Sequence, residues 1–236
     1  MTPEDVRDAL IARAETAGPR IETFKLAGQV YWIKRPERAT LQLMLQKGDP
    51  MRAFAQEVAA YQKFAKLGLP VVPIIAVGAT YLVTKDNGTQ LRQLAKTKSQ
   101  DLPKALTAAA RGLAEFHKAG VCHGRPSLKD ICWKNEKISF LDFERATRDR
   151  NLERAIATDI ILFIYSISVE TAGDTTAMST ARDAYIAAGG AAQWQKAQSR
   201  ARGFFYLRAI LWPAAKVYKK SRELSAVEPL FKFMKG

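Results

Sequence analysis

Residues Gly120 to Ala146 read GVCHGRPSLKDICWKNEKISFLDFERA, and the fold turns on how this stretch is parsed. Ile131 to Trp133 and Ile138 to Leu141 are short β-favouring runs on either side of the polar Lys134-Asn135-Glu136-Lys137. That is the pattern of a short hairpin. It carries Asp130 at its start and Asp142 at its end, so two carboxylates are expected close together. Each alone reads equally well as a turn or cap residue. Flanking one hairpin and followed by Phe143, they form the strongest chemical signal in the chain.

Upstream, Leu102, Leu106, Ala109, Leu113 and Phe116 step along one helical face, with Asp101 placed to cap the start and Gly120 to close the end. Asp86-Asn87-Gly88 is the natural linker before that helix. It divides the chain into residues 1–87 and 88–236. Within the first part, IETFKLAGQVYWIKR from Ile21 to Arg35 holds two β-rich runs around Ala27-Gly28, a hairpin whose second strand ends at Lys34. From Met51 to Leu67 the apolar positions Phe54, Val58, Tyr61 and Phe64 recur every three to four residues, predicting a helix that contains Glu57 and stops at Gly68. Pro70 to Val77 and Ala79 to Thr84 read as two further strands separated by Gly78. Downstream, Leu152 to Gly236 shows helical patterning without repeat or low-complexity tract. The class is α+β, with a small β-rich N-terminal lobe built around one main helix and a larger, mostly helical C-terminal lobe.

The chain has 236 residues and 47% hydrophobic content, which suits a globular protein with a real core and excludes disorder as its main state. Its longest apolar stretch, Ile160 to Val169, is half of the ~20 residues a membrane-crossing helix needs. The opening MTPEDVRDAL carries acidic groups and reads as an amphipathic helix of a soluble protein rather than a secretory signal, so the expected location is the cytoplasm. Cys122 and Cys132, with His117 and His123 as the only histidines, lack the spacing of a zinc site. They read as reduced, buried cysteines and a structural loop histidine. Gly28 belongs to no G-x-G-x-x-G and reads as a turn. Lys and Arg number 37 against 23 Asp and Glu, a net charge of +14, which concentrates anionic partners at the surface. Phosphorylated sugars, anionic membranes and nucleic acid all fit that charge.

Read with Lys34, Glu57 and Asp159, the segments HGRPSLKD and DFE resemble the catalytic and metal-binding segments of kinase-like phosphotransferases, where H-[RG]-D-x-x-x-x-N is followed by a short hairpin and D-F-G. Within that superfamily the loop HGRPSLKDI, the absence of a glycine-rich loop and the small size are most similar to bacterial lipopolysaccharide kinases, including those acting on Kdo and heptose sugars of the inner core. The resemblance covers about residues 21 to 170. It implies a two-lobed kinase-like fold with ATP and magnesium as cofactors. Asp142 takes the D-F-G aspartate position as a metal ligand, with Phe143 as the packing aromatic and Glu144 in place of the glycine. Asp130 matches the metal-binding asparagine. Lys34, in VYWIK, resembles the lysine that touches the phosphates, and Glu57 its ion-pair partner. Asp159 resembles the buried aspartate that holds the catalytic loop, and the nucleotide base lies by position against Val83 to Asp86.

One departure is large. Arg125 stands where the family has the aspartate that orients or deprotonates the acceptor hydroxyl, and arginine cannot act as that base. Either Asp130 assumes the task, or Arg125 grips an anionic acceptor or the γ phosphate, or the protein is a pseudokinase. The implied activity is phosphorylation of a hydroxyl on an anionic glycolipid or phosphorylated sugar at the inner face of the cytoplasmic membrane. The alternatives are a catalytically silent lipid- or protein-binding module and, ranked last for want of any nucleic-acid motif, an RNA-associated protein. Of two basic segments, Arg145 to Arg154 and Ala201 to Arg222, the second mixes aromatics with cations as an interfacial helix would, and its lysines and arginines are candidates for contact with an anionic membrane surface. Core packing is the competing account of the second segment's aromatics.

Overall fold

The computed structural model describes residues 1–37, 49–146, 151–203 and 221–235. Most of the aromatic and basic segment from Ala201 to Arg222, including Phe204, Phe205, Tyr206 and Trp212, and the middle of Arg145 to Arg154 lie outside the described residues. The chain forms two compact units, Met1–Asn87 with Asp142–Glu144 and Gly88–Leu141 with Arg145–Gly236. The architecture is α+β.

In the first unit, helix α1 (Pro3–Glu15) starts at a capping box in which the Thr2 hydroxyl accepts from the Asp5 amide and the Asp5 carboxylate accepts from the Thr2 amide. Strands β1 (Ile21–Leu26) and β2 (Gln29–Lys34) pair antiparallel in the register Ile21 to Lys34 and Leu26 to Gln29. Ala27 and Gly28, with φ of 47° and 74°, supply the two left-handed residues of a tight hairpin turn. Alternation along β2 sends Tyr31 and Ile33 to one face and Trp32 and Lys34 to the other. The inward pair meets Leu10 and Ala14 of α1, together with Ala76, Tyr81 and Val83, in one buried cluster.

Helix α2 (Pro50–Lys66) is capped by Asp49, whose carboxylate accepts from the Met51 amide. Its buried face carries Phe54, Glu57, Val58, Tyr61 and Phe64. Strands β3 (Ile74–Val77) and β4 (Leu82–Lys85) complete a four-stranded sheet in the order β1-β2-β4-β3. Both are shorter than the sequence predicts. Pro70 and Pro73 lack the N–H a ladder needs, and Ala79 and Thr80 are spent on the turn that the Gly78 amide closes onto the Tyr81 carbonyl at 3.0 Å.

The second unit opens with β5 (Thr89–Gln90), α3 (Leu91–Lys96) and α4 (Leu102–Lys118). Leu106, Ala109, Leu113 and Phe116 of α4 are buried, as their spacing predicts. Asp101 sits at the start of α4 but its side chain makes no capping bond. Its backbone is already helical, with φ −77° and ψ −15°, whereas a capping side chain needs the extended conformation. Strands β6 (Ile131–Lys134) and β7 (Lys137–Phe140) form the expected hairpin and pair with β5. Asn135 and Glu136, at φ 50° and 59°, make its turn. Helices α5 (Leu152–Glu170), α6 (Thr175–Tyr185) and α7 (Ala191–Gly203) follow, with short α8 (Arg222–Ser225) and α9 (Val227–Lys235) beyond them. No helix among the described residues is long and apolar enough to cross a membrane.

Ile33 is fully buried between α1 and the sheet, so Ile33→Ala leaves a cavity in the first unit's core. The expected loss is about 2–5 kcal/mol, read as a lower urea midpoint with an unchanged denaturant slope.

Candidate active site

The first unit gathers charged groups on the sheet face opposite its α1 core. Lys34 stands at the end of β2, and its Nζ donates to Oε1 of Glu57 at 2.5 Å. The Asp142 Oδ1 lies 3.7 Å from the same Nζ. Glu57 is only 4% exposed. Burial pushes its carboxyl above the ordinary value of 4.5; Lys34 pulls it back, and Asp142 and Glu144 push it up further. Lys34, Glu57 and Asp142 are therefore brought together, and Glu144 adds a third carboxylate to the same local field. Two carboxyl groups thus lie against one ammonium in a half-buried place, with Glu144 in the same field. Such a set of hard oxygens, with a lysine held among them, fits a divalent cation and the phosphates of a nucleotide.

Asp142 has φ +64°, in the left-handed region that costs a residue with a side chain about 1–2 kcal/mol. It is held there from both sides. Its amide donates to the Tyr61 hydroxyl at 3.1 Å. Phe143, the next residue, packs edge-on against Tyr61 and Phe64 with ring centroids 4.6 and 4.9 Å apart. Val83 is fully buried in the sheet's core cluster, and Asp86, just past β4, accepts from Trp32 Nε1 at 3.3 Å.

The second unit holds the loop His123 to Asp130. Asp159, buried in α5, accepts from the amides of His123 at 2.7 Å and Gly124 at 2.9 Å. Two turns further along the same face of α5, Ser166 Oγ accepts from the Leu128 amide at 2.8 Å. One helix thus pins both halves of the loop. The Asp130 amide donates to the Ser127 carbonyl, and its own carbonyl accepts from Leu141, each at 2.8 Å. That second bond extends the β6–β7 ladder by one pair and fixes Asp130 at the hairpin's start. Arg125 is half-buried, with its amide 3.4 Å from His123 Nδ1.

Gly124 is required twice over. Its φ is +91°, and a Cβ there would lie 2.4 Å from the Arg145 carbonyl and 2.8 Å from the Ala146 amide. His123 is buried against Phe140, ring to ring at 5.6 Å.

Sequence reasoning missed Tyr61, Ser166, Tyr185 and the use of His117. Tyr61 reads only as one apolar position of a helix, and Ser166 as a polar interruption of an apolar run. His117 Nδ1 is 2.7 Å from the Tyr185 hydroxyl and its Nε2 is 3.4 Å from Asp159 Oδ2. Burial, with Asp159 nearby, pushes the Tyr185 hydroxyl up. Potential ligand atoms of His117, Cys122 and Asp159 also lie within 4.8 Å of one another, a juxtaposition that the sequence spacing does not reveal. Both Asp159 oxygens are engaged by the loop amides, so this cluster serves the loop. Cys122 and Cys132 are buried and form no disulfide.

Against known proteins, the model of the family described as "Lipopolysaccharide kinase (Kdo/WaaP) family" matches residues 12–184. The chain is also 29% identical over 154 residues to an "Uncharacterized protein" of Haemophilus influenzae, covering 64% of this chain and 64% of that relative.

Gly124→Ala should cost more than Gly120→Ala, because the latter adds a Cβ at φ +71° into open space. Denaturant midpoints measure the gap: about 1–2 kcal/mol for position 120, and roughly 1–3 kcal/mol beyond that for position 124, where backbone must shift. Glu57 predicts a pH effect. The folded protein holds a proton there more tightly than the unfolded chain does, so the group adds stability that is full below the ordinary value of 4.5 and is lost as pH rises through its folded-state value. The stability of the native protein minus that of Glu57→Gln should therefore fall as pH rises above the ordinary carboxyl value of 4.5 in urea titrations.

Proposed function

The chain belongs to the Kdo/WaaP lipopolysaccharide kinase family, and from that premise we propose that it is an ATP- and magnesium-dependent phosphotransferase whose acceptor is a hydroxyl of an anionic glycolipid or phosphorylated sugar. It spans 64% of the length of the curated relative it matches, so reaction, acceptor and partners are all part of this proposal. The observation that carries it is the Lys34–Glu57 pair with the Asp142 carboxylate 3.7 Å from the same ammonium.

Bound ATP with magnesium supplies the transferable phosphoryl group and a cation that neutralises it. The residues divide the rest of the work. Lys34 holds phosphate oxygens, and Glu57 keeps its ammonium in place. Asp142 and Asp130 are the metal-binding carboxylates. Any base contact along β4 near Val83 is made by backbone, because the Val83 side chain is committed to the core; Asp86 is the polar neighbour there. Arg125 grips the acceptor's charge or the γ phosphate. A missing base does not abolish such a reaction, since positioning and charge neutralisation carry most of it.

The acceptor and the location are supported by the net charge of +14, which favours an anionic acceptor at the cytoplasmic face of the inner membrane. One observation favours a second reading. Arg125 in the place of the catalytic aspartate suits a catalytically silent protein that binds the glycolipid without phosphorylating it. Nucleic acid remains the weakest of the partners.

Magnesium ATP should raise the melting temperature of the native protein, and Asp142→Asn and Asp130→Asn should each blunt that rise. Mass spectrometry of the cell's glycolipid, with and without the protein, should show a species heavier by one phosphate. Glycolipid binding with no such species supports the silent module instead. No thermal response to magnesium ATP, together with no effect of Asp142→Asn in cells, overturns the kinase reading.

A further inference from the structure

We infer that Tyr61 is a positioning residue for the metal-binding carboxylate: its hydroxyl holds the backbone of Asp142 in the left-handed conformation that presents the Asp142 side chain to Lys34. The inference rests on the reading of Asp142 as a metal ligand and goes beyond it by naming what sets that ligand's geometry.

Backbone accounting leads to Tyr61. The ladder that orders this part of the chain ends when the Leu141 amide donates to the Asp130 carbonyl. The next amide, that of Asp142, donates to the Tyr61 hydroxyl at 3.1 Å. A backbone N–H in a partly buried place needs an acceptor, and a side-chain oxygen provides it here. Because φ at Asp142 is +64°, the conformation is one that residues with a Cβ visit less readily than glycine, though aspartate more readily than most. The Tyr61 bond adds a contribution from outside the residue to its selection.

Tyr61 is well placed to do so. It lies one turn after Glu57 on the buried face of α2 and is 3% exposed. The helix that carries the partner of Lys34 therefore also carries the hydroxyl that orients Asp142. The ring has a separate job. It packs edge-on against Phe143, at 78° between planes, a contact that phenylalanine at position 61 would keep. Hydrophobic packing accounts for the ring, and the Asp142 amide gives the buried hydroxyl a polar partner.

Tyr61→Phe in the full chain separates the two roles. Amide exchange at Asp142, followed by NMR, should accelerate by about tenfold or more, since one hydrogen bond protects that site. The magnesium concentration giving half of the ATP-induced thermal stabilisation should rise several-fold, by about the factor of ten that one such bond can supply. A role in packing alone would change overall stability and leave the magnesium midpoint where it was. Identical Asp142 exchange in the two proteins overturns the positioning role outright. Altered exchange with an unchanged magnesium midpoint overturns its link to the metal. A native protein that shows no magnesium-ATP response sinks the nucleotide reading itself, and the exchange experiment still decides whether Tyr61 holds Asp142.

Discussion

A carboxyl group that water scarcely reaches needs a fixed polar partner, and Glu57 has one in Lys34. The helix presents Glu57 where the end of β2 delivers an ammonium, so the ion pair joins α2 to the sheet. The opposing influences on Glu57 show what the arrangement costs. Desolvation and two neighbouring carboxylates favour the neutral acid, while Lys34 favours the ion. A site poised in this way gains from any added positive charge.

In the second unit the corresponding constraint is backbone satisfaction. Asp159 and Ser166 reach out from one face of α5 to three loop amides. The loop conformation is thereby set by groups outside the loop. This bears on Arg125. A loop held by its amides tolerates different side chains at position 125 without losing its shape. Gly124 marks the limit of that tolerance, because there the backbone of 145–146 comes too close for any Cβ.

Much of the fold and part of the site are legible in the residues. The β6–β7 hairpin follows from two short apolar runs around Asn135-Glu136, α2 from the spacing Phe54, Val58, Tyr61, Phe64, and α4 from Leu106 to Phe116. Where local reading failed, a local rule was overridden. Asp101 has the chemistry of a cap but sits in a helical backbone, and the prolines before β3 shorten a strand whose side chains alone suggest more. Lys34 and Asp142 stand out through the motifs around them.

Periodicity, turn chemistry and charge composition are properties of near neighbours along the chain, and they carry the α+β class, the hairpins and the candidate acids. The remaining features come from pairs distant in sequence: Lys34 with Glu57 across 23 positions, Asp159 with the His123 amide across 36, and Tyr61 with the Asp142 amide across 81. Whether Glu57 is a surface acid or a buried partner of Lys34, and whether Tyr61 is mere core or a hydrogen-bond acceptor, depends on which groups folding brings within about 3 Å. A hydrogen bond is that short in reach, so no local pattern encodes it.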